Sequence, residues 1–192
     1  MPGPERREQL LMVARRVFGK DGFHAVSMDA VAREAGVTKP ILYDHFPSKK
    51  ELYLSLVEQD LAALHDKVHK ALDDAPGNRE RIRASFEAYF GFVDEHAEGF
   101  RLLMQEAIGA DRDLQERIRA VQEEIHVEVT EVIVRESRGT LSHADARVVA
   151  LGLIGMAETV AQKDLGAPAD ERQRSVDTLV RLAWRGITGL TV

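Results

Sequence analysis

Apolar positions along this chain recur at steps of three and four, and no stretch of useful length alternates as a strand does. Over residues 5–20, Leu10, Val13, Ala14, Val17 and Phe18 make one stripe, the mark of an amphipathic helix that Gly22 ends. Ser27 is placed to cap a short helix over 28–35, with Met28, Val31, Ala32 and Ala35 on its apolar face. Gly36 forces a turn. Thr38 is placed to cap a second short helix reaching about Phe46, with Pro40 tolerated in its first turn and Pro47 stopping it. Ser48-Lys49-Lys50-Glu51 spells a capping box, in which Ser48 and Glu51 each satisfy an orphan backbone N–H. A long helix is predicted from Ser48 to about residue 74, with Tyr53, Val57, Leu61, Leu64, Val68 and Leu72 on one face. Pro76-Gly77-Asn78 is a strong break. Beyond it, helices are predicted at about 79–95, 98–108, 112–137, 143–164 and 169–188, so the fold is read as all-α with about nine helices.

Composition narrows the class. The 192 residues are 44% hydrophobic, long enough for one domain or two small ones and too apolar for wholesale disorder. The absence of cysteine excludes a disulfide scaffold, a Cys-ligated zinc site and a Cys nucleophile. The start, MPGPERREQ, does not read as a signal peptide, so a cytoplasmic location is expected. A net charge of −6 by itself argues against nucleic acid, but the charge is uneven. Residues 1–50 hold nine Lys/Arg against six Asp/Glu, whereas the rest holds 17 against 26. A basic segment on an acidic body points to a partner for that segment.

The basic segment has the order of a helix-turn-helix. Two short helices meet at Ala35-Gly36-Val37 behind a longer one, so that one braces and the next can lie in a major groove. Ser27 and Thr38 sit at helix N-termini, where free N–H groups and the helix dipole favour a phosphate. Lys39, Tyr43, Lys49 and Lys50 can reach backbone or base edges, while Ile41, Leu42 and Phe46 are expected to anchor the second helix to its own core. The same pattern also describes a plain three-helix module with solvated lysines.

Residues Phe18, Gly22, Phe23, Ser27, Met28, Val31, Ala32 and Ala35-Gly36-Val37, followed by Thr38-Lys39-Pro40-Ile41-Leu42-Tyr43-Asp44-His45-Phe46-Pro47-Ser48-Lys49-Lys50-Glu51-Leu52, resemble the N-terminal domain of the tetracycline-repressor (TetR) family. The likeness includes the distinctive L-Y-x-H-F-x-S-K run and covers the first quarter of the chain; the rest is similar only in length and helical pattern. The resemblance implies a two-domain, homodimeric, ligand-controlled DNA-binding regulator, usually a repressor, with double-stranded palindromic operator DNA as its partner. It places Thr38, Lys39, Pro40 and Tyr43 on the recognition helix, and Tyr43 and Lys49 on phosphates with help from Ser27. His45 reads two ways, facing phosphate or packing at the helix end. Asp44 departs from the family pattern: it either accepts from a cytosine amine or stays in solvent. Residues 1–50 are assigned to this head and 51–192 to a helical ligand-binding and dimerisation domain.

Two roles are expected of that second domain. Residues 148–157, VVALGLIGMA, are uncharged, too short to span a bilayer and apolar on nearly every side. Val149, Leu153, Ile154 and Ala157, with Leu179, Val180, Ala183, Trp184 and Ile187 from the last helix, are the expected dimer surface; the competing reading is an intrachain core. Phe86, Tyr89, Phe90 and Val93 share a face, and Phe100, Leu103, Met104 and Ala107 follow. With Leu61, Leu64, Val121, Ile125 and Met156 they are candidates to line a pocket for an apolar or aromatic effector, or simply a packed core. Ile118 would add to the same wall. Glu87, Glu106 and Glu158 could meet a cation, but are expected to face solvent.

No metal, cofactor or membrane partner is expected. His65 and His69 lie at i, i+4 as metal ligands can, but with no Glu beside the first and no evident third ligand they read as exposed. The competing functions are a DNA-binding dimer that senses nothing and a helical metalloenzyme.

Overall fold

A computed structural model describes residues 3–97 and 112–186. The helix expected over 98–108 lies outside them, with Phe100, Leu103, Met104, Glu106 and Ala107; so do Ile187 and the side chains of Ile118 and Val121. The described residues form eight helices and no strand: α1 Gly3–Asp21, α2 Met28–Glu34, α3 Lys39–His45, α4 Lys49–Asp74, α5 Asn78–Glu95, α6 Arg112–Glu136, α7 His143–Lys163 and α8 Ala169–Arg185.

The chain divides into two compact units. The first takes in the described residues up to Ala62 and those of His96–Val121; the second takes in Ala63–Glu95 and those from Gln122 onward. The division therefore falls inside α4, not at the boundary expected after residue 50. Packing is the reason. Leu52, Tyr53, Leu54, Leu56, Val57 and Leu61 are all buried in one cluster with Leu10, Phe18, Val31, Leu42 and Phe46. The first turns of α4 are thus part of the head. Tyr53 meets Phe18 edge-on at 5.7 Å and Phe23 at 4.8 Å, the offset geometry that aromatic quadrupoles favour.

Local chemistry starts and stops the head helices much as the residues predict. Ser27 is extended and its Oγ accepts from the Ala30 N–H at 3.2 Å. Gly36, at φ +65°, makes the left-handed turn into α3 that a side chain would strain. Thr38 occupies the cap position of α3 but makes no side-chain cap hydrogen bond. Pro40 in the first turn has the φ a helix needs and no N–H to leave unpaired. The capping box of α4 is half formed. Ser48 Oγ accepts from the Glu51 N–H at 3.1 Å, while the Glu51 carboxylate turns outward to Arg117 of α6 at 2.9 Å.

In the second unit α5 buries Phe86, Tyr89, Phe90, Phe92 and Val93. It packs on α8 and α7, which also pack on each other. Arg83–Asp177 and Arg172–Asp94, each 2.7 Å, join α5 to α8 along the edges of this contact. Such partly exposed pairs fix register more than they stabilise.

Candidate nucleic-acid interface and sensing unit

The short helix α3 buries one side and offers the other. Leu42 and the following Phe46 are fully buried. Thr38, Lys39, Pro40, Tyr43 and Asp44 are exposed together. Ile41 is exposed with them, at 39%, so it does not anchor the helix as expected. Adjacent side chains lie about 100° apart around a helix; Leu42 takes the inward position, in line with Phe46 four residues on, and Ile41 is turned out. An exposed Ile offers an apolar contact of the kind a thymine methyl can meet, which its residue type alone did not suggest in the sequence. His45 is half-buried, with its ring 6.4 Å from that of Phe46. Ser27 is exposed at the start of α2, and Lys50 is half-buried in the first turn of α4.

Two cations differ in their engagement. Lys39 Nζ lies 2.6 Å from Asp29 of α2, both side chains more than half exposed. The hydrogen bond to Asp29 holds the Lys39 ammonium charged to higher pH than usual. Lys49 is bound internally. Its Nζ donates to the carbonyls of Phe23, Val26 and His24 at 2.8, 2.9 and 3.4 Å and lies 4.5 Å over the Phe23 ring.

In the second unit, Leu64, Phe86, Tyr89, Phe90 and Val93 are buried, and Ile125 and Met156 are half-buried. Leu61, grouped with them on sequence, belongs to the head core. Glu87 is exposed as expected, but Glu158 is half-buried, and burial raises its carboxyl above the usual range. Burial likewise pushes the Tyr89 hydroxyl up, with the Glu158 charge adding to it.

The residues grouped as a dimer surface separate. Ala157, Leu179 and Val180 are buried inside the protomer, where α7 and α8 meet the rest of the unit, so they serve the intrachain core. Leu153, Ile154 and Ala183 are half-buried. Val149 and Trp184 are exposed, joined by Val148 at 70% and by Leu151. A side chain added at Gly152 or Gly155 would meet nothing within 4 Å, so this flank of α7 is open among the described residues.

His65 and His69 do have a shared partner, which sequence spacing could not supply. His65 Nε2 lies 2.6 Å from Glu128 Oε2, His69 Nδ1 meets the other oxygen, and the two rings stack. The carboxylate bridges the two imidazoles, one oxygen to each. That is an ion-pair arrangement, and no group of three or more His, Cys, Asp or Glu among the described residues is set to hold a metal. The bond to Glu128 keeps His69 charged to higher pH than usual. No described helix is long and apolar enough to cross a membrane.

Both parts of the chain match known family profiles: "Bacterial regulatory proteins, tetR family" over residues 10–56 and "Tetracyclin repressor-like, C-terminal domain" over residues 78–186. The chain belongs to the TetR family of transcriptional regulators. The second match extends the likeness well past the first quarter of the chain. Among relatives, the HTH-type transcriptional activator FasR of Mycolicibacterium smegmatis is 36% identical over 98% of this chain and 85% of its own length. A TetR-like regulator from Rhodococcus sp. RHA1 is 30% identical, with a TM-score of 0.76 over 98% and 99% of the two chains. FadR of Bacillus subtilis, solved in complex with stearoyl-CoA, shares the fold at a TM-score of 0.82 over 94% and 98%, at 14% identity. The family's N-terminal profile spans α3 whole, with its exposed cap Thr38 and its exposed residues Lys39, Pro40, Ile41, Tyr43 and Asp44.

Proposed function

We propose that this TetR-family regulator binds a palindromic operator as a homodimer in the cytoplasm, and that a long-chain fatty acyl-CoA held in the second unit weakens that binding. The observation that carries the reading is the buried aromatic face of α5, Phe86, Tyr89, Phe90 and Val93, in the unit matched by the family's C-terminal profile. An uncharged wall of this kind suits an acyl chain, and a protein of the same fold was solved with stearoyl-CoA. Leu64, Ile125 and Met156 complete the proposed lining within that unit. Thr38, Lys39, Pro40, Ile41 and Tyr43 face the groove, with Ser27, His45 and Lys50 at its edges. The effector changes the spacing of two heads only to the extent that it prefers one spacing. Whether release from DNA silences or activates a gene depends on where the operator lies; FasR is named an activator.

The test is operator binding after selection from a random DNA pool. A palindrome is expected, with half-sites a whole number of helical turns apart. Stearoyl-CoA at saturation should then weaken binding by about tenfold or more, and free coenzyme A should not. A selected site without two-fold symmetry would sink the dimer reading. Bound acyl-CoA of every chain length leaving operator affinity unchanged would sink the effector reading.

The proposed dimer face is the open flank of α7 with Trp184 of α8. Val148→Asp should place a charge in the shared apolar contact, yield monomers in sedimentation, and weaken operator binding by about 100-fold or more, because paired heads bind at high effective concentration. A variant that sediments as the unmodified protein does would move the interface elsewhere.

A further inference from the structure

Lys49 sits where the family likeness implies a phosphate contact, yet its ammonium is already fully engaged. A lysine has three N–H donors and no acceptor. Three backbone carbonyls, those of Phe23, Val26 and His24, take one each, at 2.8, 2.9 and 3.4 Å. The Phe23 ring, 4.5 Å from Nζ, covers another side of the charge. These carbonyls belong to the loop between α1 and α2, which Gly22 starts at φ +81° and which ends at Ser27, the cap of α2. Phe23 in turn packs on Tyr53 of α4, one turn beyond Lys49. Reaching a phosphate would therefore require breaking a charge-assisted hydrogen bond to a backbone carbonyl that has been taken from water.

We propose that Lys49 is a positioning residue of the DNA-binding head, latching the α1–α2 loop to the first turn of α4 and making no phosphate contact in the operator complex. The latch fixes the residue just before Ser27 and so sets the angle of α2, against which α3 packs. Because Lys49 begins α4, any displacement of that turn carries the loop and α2 with it. The exposed part of the head supplies the phosphate contacts instead.

Operator and random-sequence binding of Lys49→Met and Lys49→Arg, each as a function of salt, tests this. A phosphate contact adds about one to the magnitude of the salt slope. The latch predicts that Lys49→Met loses about tenfold or more in operator affinity, keeps the slope of the unmodified protein, and leaves random-sequence binding nearly unchanged. Lys49→Arg, which keeps donors and the ring contact, should recover most of the loss. A slope lower by about one, with equal losses on both DNAs, overturns the proposal in favour of a phosphate contact. Unchanged operator affinity of the folded Met variant also overturns it, leaving a contribution to stability alone. If Lys49→Met does not fold, amine labelling of the unmodified protein decides. Lys49 should label far more slowly than the exposed Lys70 and at the same rate with and without operator. Labelling as fast as Lys70, or added protection on DNA, overturns the proposal.

Discussion

Phe18→Ala should cost the head about 3–5 kcal/mol, the range for truncating a fully buried aromatic side chain. Phe18 is wholly inaccessible and lies at the centre of the cluster that α1, the α1–α2 loop and α4 build together. Its ring contacts Tyr53 edge-on at 5.7 Å and Phe23 at 6.0 Å, so alanine removes two aromatic contacts as well as buried area. The cavity left behind is bordered by three separate segments, none of which can close it without leaving the others. A loss of this size is a large fraction of the stability of an ordinary domain. Operator binding should disappear at temperatures where the unmodified protein still binds fully. Urea denaturation followed by far-UV circular dichroism measures the loss, and Trp184, the chain's single tryptophan, reports the second unit separately. A midpoint shift corresponding to less than about 1 kcal/mol would mean that the site repacks, contrary to the three-walled geometry.

What could be read beforehand was what lies within one turn of a residue. Ser27 as a cap, Gly36 as the turn and Leu42 and Phe46 as anchors all follow from local spacing, and the structure has them. What could not be read depends on segments far apart in the chain. Glu51 completes a capping box on sequence, but Arg117 competes for its carboxylate from another helix and wins. Lys49 looks like a free basic residue until the loop carbonyls are placed beside it. His65 and His69 gain their shared partner from Glu128, 59 residues beyond His69. The dimer stripe fails in part for a related reason. Periodicity marks Leu179 and Val180 as apolar-facing, but only packing decides that the face is α5 and not a second protomer. Exposed apolar residues such as Ile41 and Val148 are the opposite case: residue type alone argued for burial, and their exposure is what the proposed DNA and dimer faces rest on.

Arg15→Met should be about as damaging as Phe18→Ala, and its damage should depend on pH. Asp60 of α4 is 2% exposed in the head, and Arg15 of α1 reaches it at 2.6 Å. The same guanidinium nitrogen also donates to Gln59 Oε1 at 3.1 Å. Burial raises the Asp60 carboxyl above its usual range, while Arg15, and to a lesser extent His96, pull it back down. Removing Arg15 deletes the main opposing influence and leaves a buried carboxylate without its cation, a change that typically costs about 3–5 kcal/mol. The sign of the pH effect follows from linkage. In the variant the folded state holds the Asp60 proton to higher pH than the unfolded chain does, so stability falls as pH rises through and above the carboxylate range. The deficit should be largest at neutral pH and above, and should shrink in mild acid as Asp60 becomes neutral. The double variant Arg15→Met/Asp60→Leu removes both charges and should regain most of the loss, because well-packed apolar pairs often replace a buried ion pair without penalty. Denaturation of the unmodified protein, Arg15→Met, Asp60→Leu and the double variant at about pH 5 and about pH 8 completes the cycle. A deficit equal at both pH values would show that Arg15 stabilises the head through the packing of its stem, and a double variant no better than Arg15→Met would point the same way.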